Sequence, residues 1–286
     1  MPTFRRVSTL LGLALAFTLA AVAALAAPPV AEQDAEKDKD KGALHGLEYR
    51  PLGPAIGGRV SRVAGVPGDP STWFAATAAG GVWRSTNGGH TWKPVFDDQP
   101  VSSMGSITVA PSDPNVVYAG AGEANIRGNV GKGDGLYKST DRGKSWRKVL
   151  ALDGQVGTMA VDPRDPDVAF AAVLGSPFGP GRQRGVYRTT DGGASWRNVL
   201  FVDDQTGASD VTLDPSNPRI VFAGFWQARR YPWTLESGGA GCGLWVSRDG
   251  GDSWKRLTGG GLPEGIWGKV GVRVAPSDPR RVYALI

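Results

Sequence analysis

Three aspartates share one local setting and are the first candidates for carboxylate chemistry. Asp141, Asp191 and Asp249 each follow a Ser or Thr by two residues and precede a Trp by five. Asn87 occupies the same place in a fourth copy. Paired carboxylates can serve as general acid and base, but a position that accepts Asp or Asn equally suits a side chain that caps turn amides. We therefore interpret these four residues as structural.

The four copies define a repeat of the form Ser/Thr-x-Asp/Asn-x-Gly-x-Ser/Thr-Trp, which begins at residues 85, 139, 189 and 247. A short apolar segment precedes and follows each copy, which predicts a β-hairpin with the repeat as its turn. A period of 50 to 58 residues indicates a repeat architecture. We expect the Trp of each copy to pack beneath its turn, at Trp92, Trp146, Trp196 and Trp254.

A second, proline-rich repeat alternates with the first and supplies the other turns. Its copies begin at residues 66, 110, 162, 214 and 275, each between two apolar segments. Proline ends strand pairing, so each unit has strand A, a proline turn, strand B, a variable loop, strand C, the first repeat and strand D. This order predicts an all-β fold, a β-propeller of four-stranded antiparallel blades. The propeller should cover residues 47–286 and be a fragment of a longer one, with blades near 52–100, 101–150, 151–204 and 205–262 and a partial blade at 263–286.

The N-terminal residues indicate export. Residues 1–26 combine the basic pair Arg5 and Arg6, an apolar run and the sequence Ala24-Leu25-Ala26, which is typical of a cleaved signal peptide. An uncleaved anchor is the alternative. Residues 27–46 are charged and poor in apolar side chains, which predicts a disordered linker. We expect a secreted or periplasmic protein with no membrane span after cleavage.

Composition argues against several classes of function. The net charge of +5 falls to +3 without Arg5 and Arg6, and the basic residues are dispersed, so we expect no nucleic-acid partner. Cys242 is the only cysteine, which excludes an intramolecular disulfide. His45 and His90 are the only histidines. We predict no metal and no cofactor.

The variable loops between strands B and C hold the candidate binding residues. In an antiparallel blade these loops lie on the face opposite the two repeated turns, and ligand contacts concentrate on such loops. Aromatic rings beside arginines, amides and carboxylates can bind sugar rings or peptide side chains. The candidates are Glu123, Asn125, Arg127, Arg182, Arg184, Trp226, Arg229, Tyr231 and Trp233. Trp226 and Trp233 could instead pack the loop, and Glu123 with Asp97 or Asp98 could form an acid–base pair.

The first repeat resembles the Asp-box, or bacterial neuraminidase repeat, of β-propeller proteins. The resemblance covers residues 47–286 and implies that the box aspartates are structural. The chain is similar to exported bacterial proteins described as glycosyl hydrolases and to the sortilin N-terminal propeller. Residues 57–60 and 75–83 also resemble the first blade of two-propeller xyloglucan hydrolases. There a catalytic Asp stands at the position of Ala78 and an Arg at that of Ala76, which implies that this hydrolase activity is missing.

We therefore expect a sortilin-like module that binds a protein, peptide or glycan through its variable-loop face. The alternative is a glycoside hydrolase that acts on a polysaccharide with a carboxylate pair that the sequence does not identify. A cleft with two carboxylates about 5–10 Å apart would favour the enzyme.

Overall fold

The computed structural model describes residues 58–286, which form strands and turns and contain no helix. The predicted signal peptide (1–26) and linker (27–46) lie outside the described residues. The strands are β1 (Val60–Val66), β2 (Asp69–Thr77), β3 (Val82–Ser85), β4 (Lys93–Pro94), β5 (Met104–Val109), β6 (Val117–Ala121), β7 (Gly135–Ser139), β8 (Arg147–Ala151), β9 (Gln155–Val161), β10 (Ala169–Gly175), β11 (Gly185–Thr189), β12 (Arg197–Leu200), β13 (Thr206–Leu213), β14 (Val221–Arg230), β15 (Leu235–Ser237), β16 (Gly243–Ser247), β17 (Lys255–Arg256), β18 (Gly271–Val274) and β19 (Val282–Leu285).

The strands form antiparallel sheets that are the blades of a β-propeller, as the repeats predict. Blades 1, 2 and 3 are the sheets β1–β4, β5–β8 and β9–β12, each paired in chain order. Blade 4 pairs β13, β14, β16 and β17 in that order, and β18 pairs with β19 in a fifth sheet. The first strands of successive sheets pack against each other, so β1, β5, β9, β13 and β18 surround the propeller axis.

Blade 4 departs from the sequence prediction in its long connection. The sequence predicts a variable loop between strands B and C of this blade, but β14 continues to Arg230 and pairs with the additional strand β15. Apolar Trp226 and Ala228 alternate with polar Gln227 and Arg229 in this stretch, which is the period-2 pattern of a half-buried strand. We call residues 226–237 the arm.

The apolar core lies mainly between neighbouring blades. One cluster joins blades 1 and 2, a second joins blades 2 and 3, and a third joins blades 3 and 4. A fourth places Ala124 and Ile126, from the variable loop of blade 2, against Trp226 and Cys242 of blade 4 and Trp267. The blade-2 loop thus lies against the base of the arm.

Each of the four inner strands β1, β5, β9 and β13 has a β-bulge at the same place in its blade. A bulge inserts one residue, bends the strand and re-aims the next side chain. An added Cβ would lie 2.0 Å from the Val156 carbonyl oxygen at Gly105 and 2.2 Å from the Ser209 carbonyl oxygen at Gly157, so only glycine fits at these two bulges. The bulged residues are Ser61, Gly105, Gly157 and Ser209.

The Asp-box carboxylates act as acceptors inside their own turns. The Asp191 carboxylate accepts bonds from the Ser195 hydroxyl and the Ser195 amide (2.9 Å), and from the Thr189 hydroxyl (2.8 Å). These bonds, led by that of the Ser195 hydroxyl, lower the pKa of Asp191 to about 2. Asn87 accepts the matching amide bond, from Thr91 at 2.9 Å, without a charge.

The box tryptophans also close the seams between blades. The Trp146 indole donates to the Val95 carbonyl of blade 1 (2.7 Å) and meets the Phe96 ring edge-on, with centroids 5.3 Å apart. Trp196 meets Tyr118 of blade 2 in the same way, at 6.3 Å. The box therefore stabilises both its own turn and the contact with the preceding blade.

A cationic side chain on strand C links each of the first three blades to the next blade. It precedes the Ser or Thr of its own box and donates to a carbonyl inside the next box. The three pairs are Arg84 to Arg142 (2.7 Å), Lys138 to Gly192 (2.9 Å) and Arg188 to Gly250. In blade 4 the equivalent residue is buried Val246, which cannot make this bond.

Candidate functional site

The structure separates two faces of the propeller as the sequence pattern predicts. On one face the box turns bond to the proline turns, for example from the Gly192 amide to the Asp167 carbonyl (3.0 Å). On the other face the variable loops bond to the connections between blades, for example from the Gly181 amide to the Asp204 carbonyl (2.7 Å). We call this second side the variable-loop face.

The tip of the arm presents an aromatic surface to solvent. Trp233 is 80% exposed, and its ring stacks on Tyr231 with a centroid distance of 5.7 Å and an interplanar angle of 23°. The Arg229 guanidinium lies 5.2 Å from the centroid of the Tyr231 ring. The Tyr231 amide donates to the Thr234 carbonyl at 2.9 Å, which closes the turn that carries both rings. The surface is thus held by local pairing and remains open for a ligand.

Buried residues hold the arm in place. Trp226 is 5% exposed, and its indole donates to the Ser237 hydroxyl at 2.9 Å. Cys242 is buried and accepts a bond from the Gln227 amide at 3.1 Å, and burial raises the pKa of its thiol. The Arg230 amide donates to the Pro177 carbonyl of blade 3 at 2.7 Å. Trp226 therefore supports the arm from within the core and has little surface to offer a ligand.

A polar pocket of about 50 Å³ lies between the arm and the variable loop of blade 3. Gln205, Gln227 and Glu236 line it together with Arg229. The Arg229 Nε atom is buried and has no hydrogen-bond partner among the described residues. A buried donor without a partner is costly, and the other polar side chains of the lining offer donors and acceptors to the pocket.

Arg184 forms the floor of this pocket and organises the backbone around it. Its side chain is 2% exposed and donates to the carbonyls of Asp204 (2.9 Å), Gly179 (2.7 Å), Leu174 and Ser176. Desolvation lowers the pKa of its guanidinium. Its donors are engaged by the protein, so Arg184 shapes the loop and leaves ligand contact to its neighbours.

Glu123 is paired with a residue that the sequence interpretation did not connect to it. It is 1% exposed, and both of its carboxylate oxygens accept bonds from Arg59, one of them at 3.0 Å. Arg59 precedes it by 64 residues, and no local pattern indicates the pair. Ala78 is also buried here and donates its amide to the Arg59 carbonyl at 2.8 Å. Glu123 thus has an ion-pair role in the structure, whereas Asp97 and Asp98 are exposed.

The remaining candidates are exposed on the same face. Asn125 accepts a bond from the Lys269 ammonium at 2.8 Å, and Arg127 follows it on the blade-2 loop. Arg182 is exposed on the blade-3 loop. No group of His, Cys, Asp and Glu in residues 58–286 could hold a metal ion. Within that same range, no helix is long and apolar enough to cross a membrane.

Xyloglucanases are among the curated proteins of similar sequence and the solved structures of similar fold. A xyloglucanase of Acetivibrio thermocellus is 30% identical over 131 residues, which is 43% of this chain and 14% of that protein. A xyloglucanase of a Paenibacillus species is 31% identical over 120 residues, which is 36% of this chain and 11% of that protein. An ancestral GH74 enzyme superposes on 77% of this chain and 28% of its own, with a TM-score of 0.57 and 22% identity.

The chain therefore spans only a small part of the curated relatives that it matches, and at 22% identity the superposition shows the fold alone. The family model described as "Sortilin, neurotensin receptor 3" matches residues 80–200 and 134–262, which together are more than half of the sequence. The Asp boxes, the antiparallel blades and this match show that the chain belongs to the Sortilin-Vps10 family.

Proposed function

We propose that this protein binds a polysaccharide of the β-glucan class on its variable-loop face. The observation that carries the proposal is the exposed Tyr231–Trp233 stack, with Trp233 80% exposed at the tip of a fixed hairpin. An aromatic plane open to solvent can cover the apolar face of a sugar ring, and adjacent polar groups can then select its hydroxyls. The two xyloglucanase relatives support a glycan over other ligands.

The pocket beside the arm supplies the polar part of this site. Arg229 lies against the Tyr231 ring and also lines the pocket, so one side chain joins the aromatic surface to the polar one. Gln205, Gln227 and Glu236 offer both donors and acceptors, as paired sugar hydroxyls require. A glycan that stacks on Trp233 would reach these groups by extending across Tyr231 and Arg229.

Binding is measured by calorimetry with xyloglucan oligosaccharides and the full-length protein. We expect Trp233→Ala to weaken binding about 10- to 100-fold, or about 1.4–2.8 kcal/mol, in the range of a tryptophan anchor. Trp73→Ala is the matched control, since Trp73 is also partly exposed but lies beside the proline turn of blade 1. Equal affinity of the Trp233→Ala variant and the parent would exclude the arm as the binding site.

A peptide ligand is the second candidate for the same face, favoured by the Sortilin-Vps10 match. Arg127, Arg182 and Arg229 supply positive charges on this face with which an acidic peptide would pair. Binding of an acidic peptide in place of the oligosaccharide, with the same loss in Trp233→Ala, would assign the arm to peptides.

Hydrolysis is the function that the xyloglucanase relatives favour beyond binding. We expect no turnover that depends on Glu123, because Arg59 engages both of its oxygens and Ala78 beside it has no carboxylate. Release of reducing sugar from xyloglucan by the parent, and its loss in Glu123→Gln, would contradict this expectation. Turnover that persists in Glu123→Gln would require another carboxylate pair.

We further propose that the mature protein begins after Ala26 and is exported, as the basic and apolar pattern of residues 1–26 indicates. N-terminal sequencing of protein from the culture medium or periplasm tests this proposal. A retained Met1 on cytoplasmic protein would refute it.

A further inference from the structure

A polar cavity of about 70 Å³ lies at the propeller axis, where the inner-strand bulges meet. The space exceeds what a single ordered water needs. Each of the four bulged residues contributes to its wall, so the cavity arises from a feature repeated in blades 1 to 4. The wall includes Ser61, Gly105, Gly157 and Ser209 from the bulges, and Arg62, Asn125, Asp210 and Lys269 from their surroundings.

The charges around this cavity do not balance. Arg62, Lys269 and Arg273 lie near the carboxylate of Asp210, but among the described residues only Arg273 forms an ion pair with it. Glu123 also attracts Lys269 electrostatically, but its carboxylate is already paired with Arg59. Three positive groups thus lie near one negative group; Arg62 is half-buried, whereas Lys269 and Arg273 lie at the exposed edge of the cavity.

Asp210 has no capacity left for Arg62. Its oxygens accept bonds from the Thr158 hydroxyl (2.9 Å), the Val272 amide (2.9 Å) and the Arg273 guanidinium (2.7 Å to each oxygen). The Val211 amide adds a fourth donor at 3.1 Å. Asp210 therefore fixes Arg273 and the bulge of β13 and leaves the other cations of the cavity without an anion.

Two polar atoms of blade 1 remain without partners here. The Arg62 Nε atom and the Ser61 hydroxyl are both buried, and neither forms a hydrogen bond with a described residue. Lys269 donates to the Ala124 carbonyl (3.2 Å) and to Asn125 (2.8 Å), which are neutral acceptors. Desolvation and then repulsion by Arg62 lower the pKa of Lys269, and desolvation and then repulsion by Arg273 lower that of Arg62.

We propose that this axial cavity binds one oxyanion, which Arg62, Lys269 and the Ser61 hydroxyl hold. A phosphate, sulfate or carboxylate group would provide acceptors to the unpartnered donors and neutralise the excess positive charge. The anion can be a free inorganic ion or an acidic group on a sugar, and both offer the same chemistry. None of the exposed aromatic residues of the arm lines the cavity, so the proposal stands independently of glycan binding by Trp233.

The test uses the full-length protein at low ionic strength, because salt screens such charges. Calorimetry and thermal unfolding are recorded with inorganic phosphate and, in a separate arm, with glucuronate. We expect one equivalent of anion to bind and to raise the melting temperature by mass action. Arg62→Gln should weaken that binding at least tenfold, and Arg62→Lys should retain part of it. Arg219→Gln is the control, since Arg219 is an exposed arginine on a proline turn.

The unliganded stability separates binding from a structural role. If Arg62 serves an anion, Arg62→Gln without anion should melt at or above the temperature of the parent, because a repulsive charge is removed. A preference for phosphate indicates a free ion, and a preference for glucuronate indicates an acidic sugar. Absence of binding by both anions, or equal binding by the parent and Arg62→Gln, would overturn the proposal. Loss of unliganded stability in Arg62→Gln would also overturn it.

Discussion

Replacing Trp146 and Trp196 by phenylalanine, one at a time, tests how the Asp boxes join the blades. Both residues occupy the same position of the repeat, and both meet an aromatic ring of the preceding blade edge-on. They differ in one respect. The Trp146 indole donates to the Val95 carbonyl at 2.7 Å, whereas the buried Trp196 Nε1 has no partner among the described residues.

The expected magnitudes follow from this difference. The loss of ring area is the same in the two variants and cancels in their comparison. Trp146→Phe also removes a hydrogen bond, which costs about 1 kcal/mol net. Trp196→Phe removes a buried donor without a partner, and such a donor costs about 1–3 kcal/mol in the native state. We therefore expect Trp146→Phe to be less stable than Trp196→Phe by about 2–4 kcal/mol.

Urea unfolding measures this difference, provided that the transition is two-state. The unfolding is monitored by backbone circular dichroism, because the substitutions themselves change the tryptophan fluorescence. Trp146→Ala and Trp196→Ala serve as references; because both side chains are half-buried, each should lose about 2–4 kcal/mol, less than a fully buried large aromatic. If the two phenylalanine variants were equally stable, the seam role of the Trp146 hydrogen bond would be wrong. If the alanine variants unfolded like the parent, the packing role of both residues would be wrong.

Three further predictions concern the turns, the links between blades and the bulges. The low pKa of Asp191 means that its contribution to stability is complete above about pH 4 and is lost between pH 4 and pH 2; Asp191→Asn should remove this dependence in acid unfolding curves. Lys138→Met leaves the Gly192 carbonyl without its donor and should cost about 1–3 kcal/mol in denaturant unfolding, and a change near zero would refute the link. Gly157→Ala should prevent folding, because its Cβ would meet the Ser209 carbonyl, whereas Gly179→Ala has open space and should behave like the parent in circular dichroism.

The two repeats in the sequence are sufficient by themselves to determine the architecture. The box and proline turns are local motifs, and their signals lie within eight residues or fewer of sequence. Because each turn specifies its own hairpin, the alternation of two turn types was enough to predict antiparallel blades and to separate the two faces. The role of Asn87 and Asp191 as turn acceptors was predictable for the same reason.

The environment of each candidate site residue was decided only by the tertiary structure. Glu123 and Trp233 are both variable-loop candidates in the sequence, yet Glu123 is buried against Arg59 and Trp233 is 80% exposed. Arg62 became a candidate because the bulges of β1, β5, β9 and β13 meet at the axis. The surroundings of Glu123 and Arg62 depend on residues more than 60 positions away in the chain, which a local pattern does not encode. The turns depend on sequence neighbours, which a local pattern does encode.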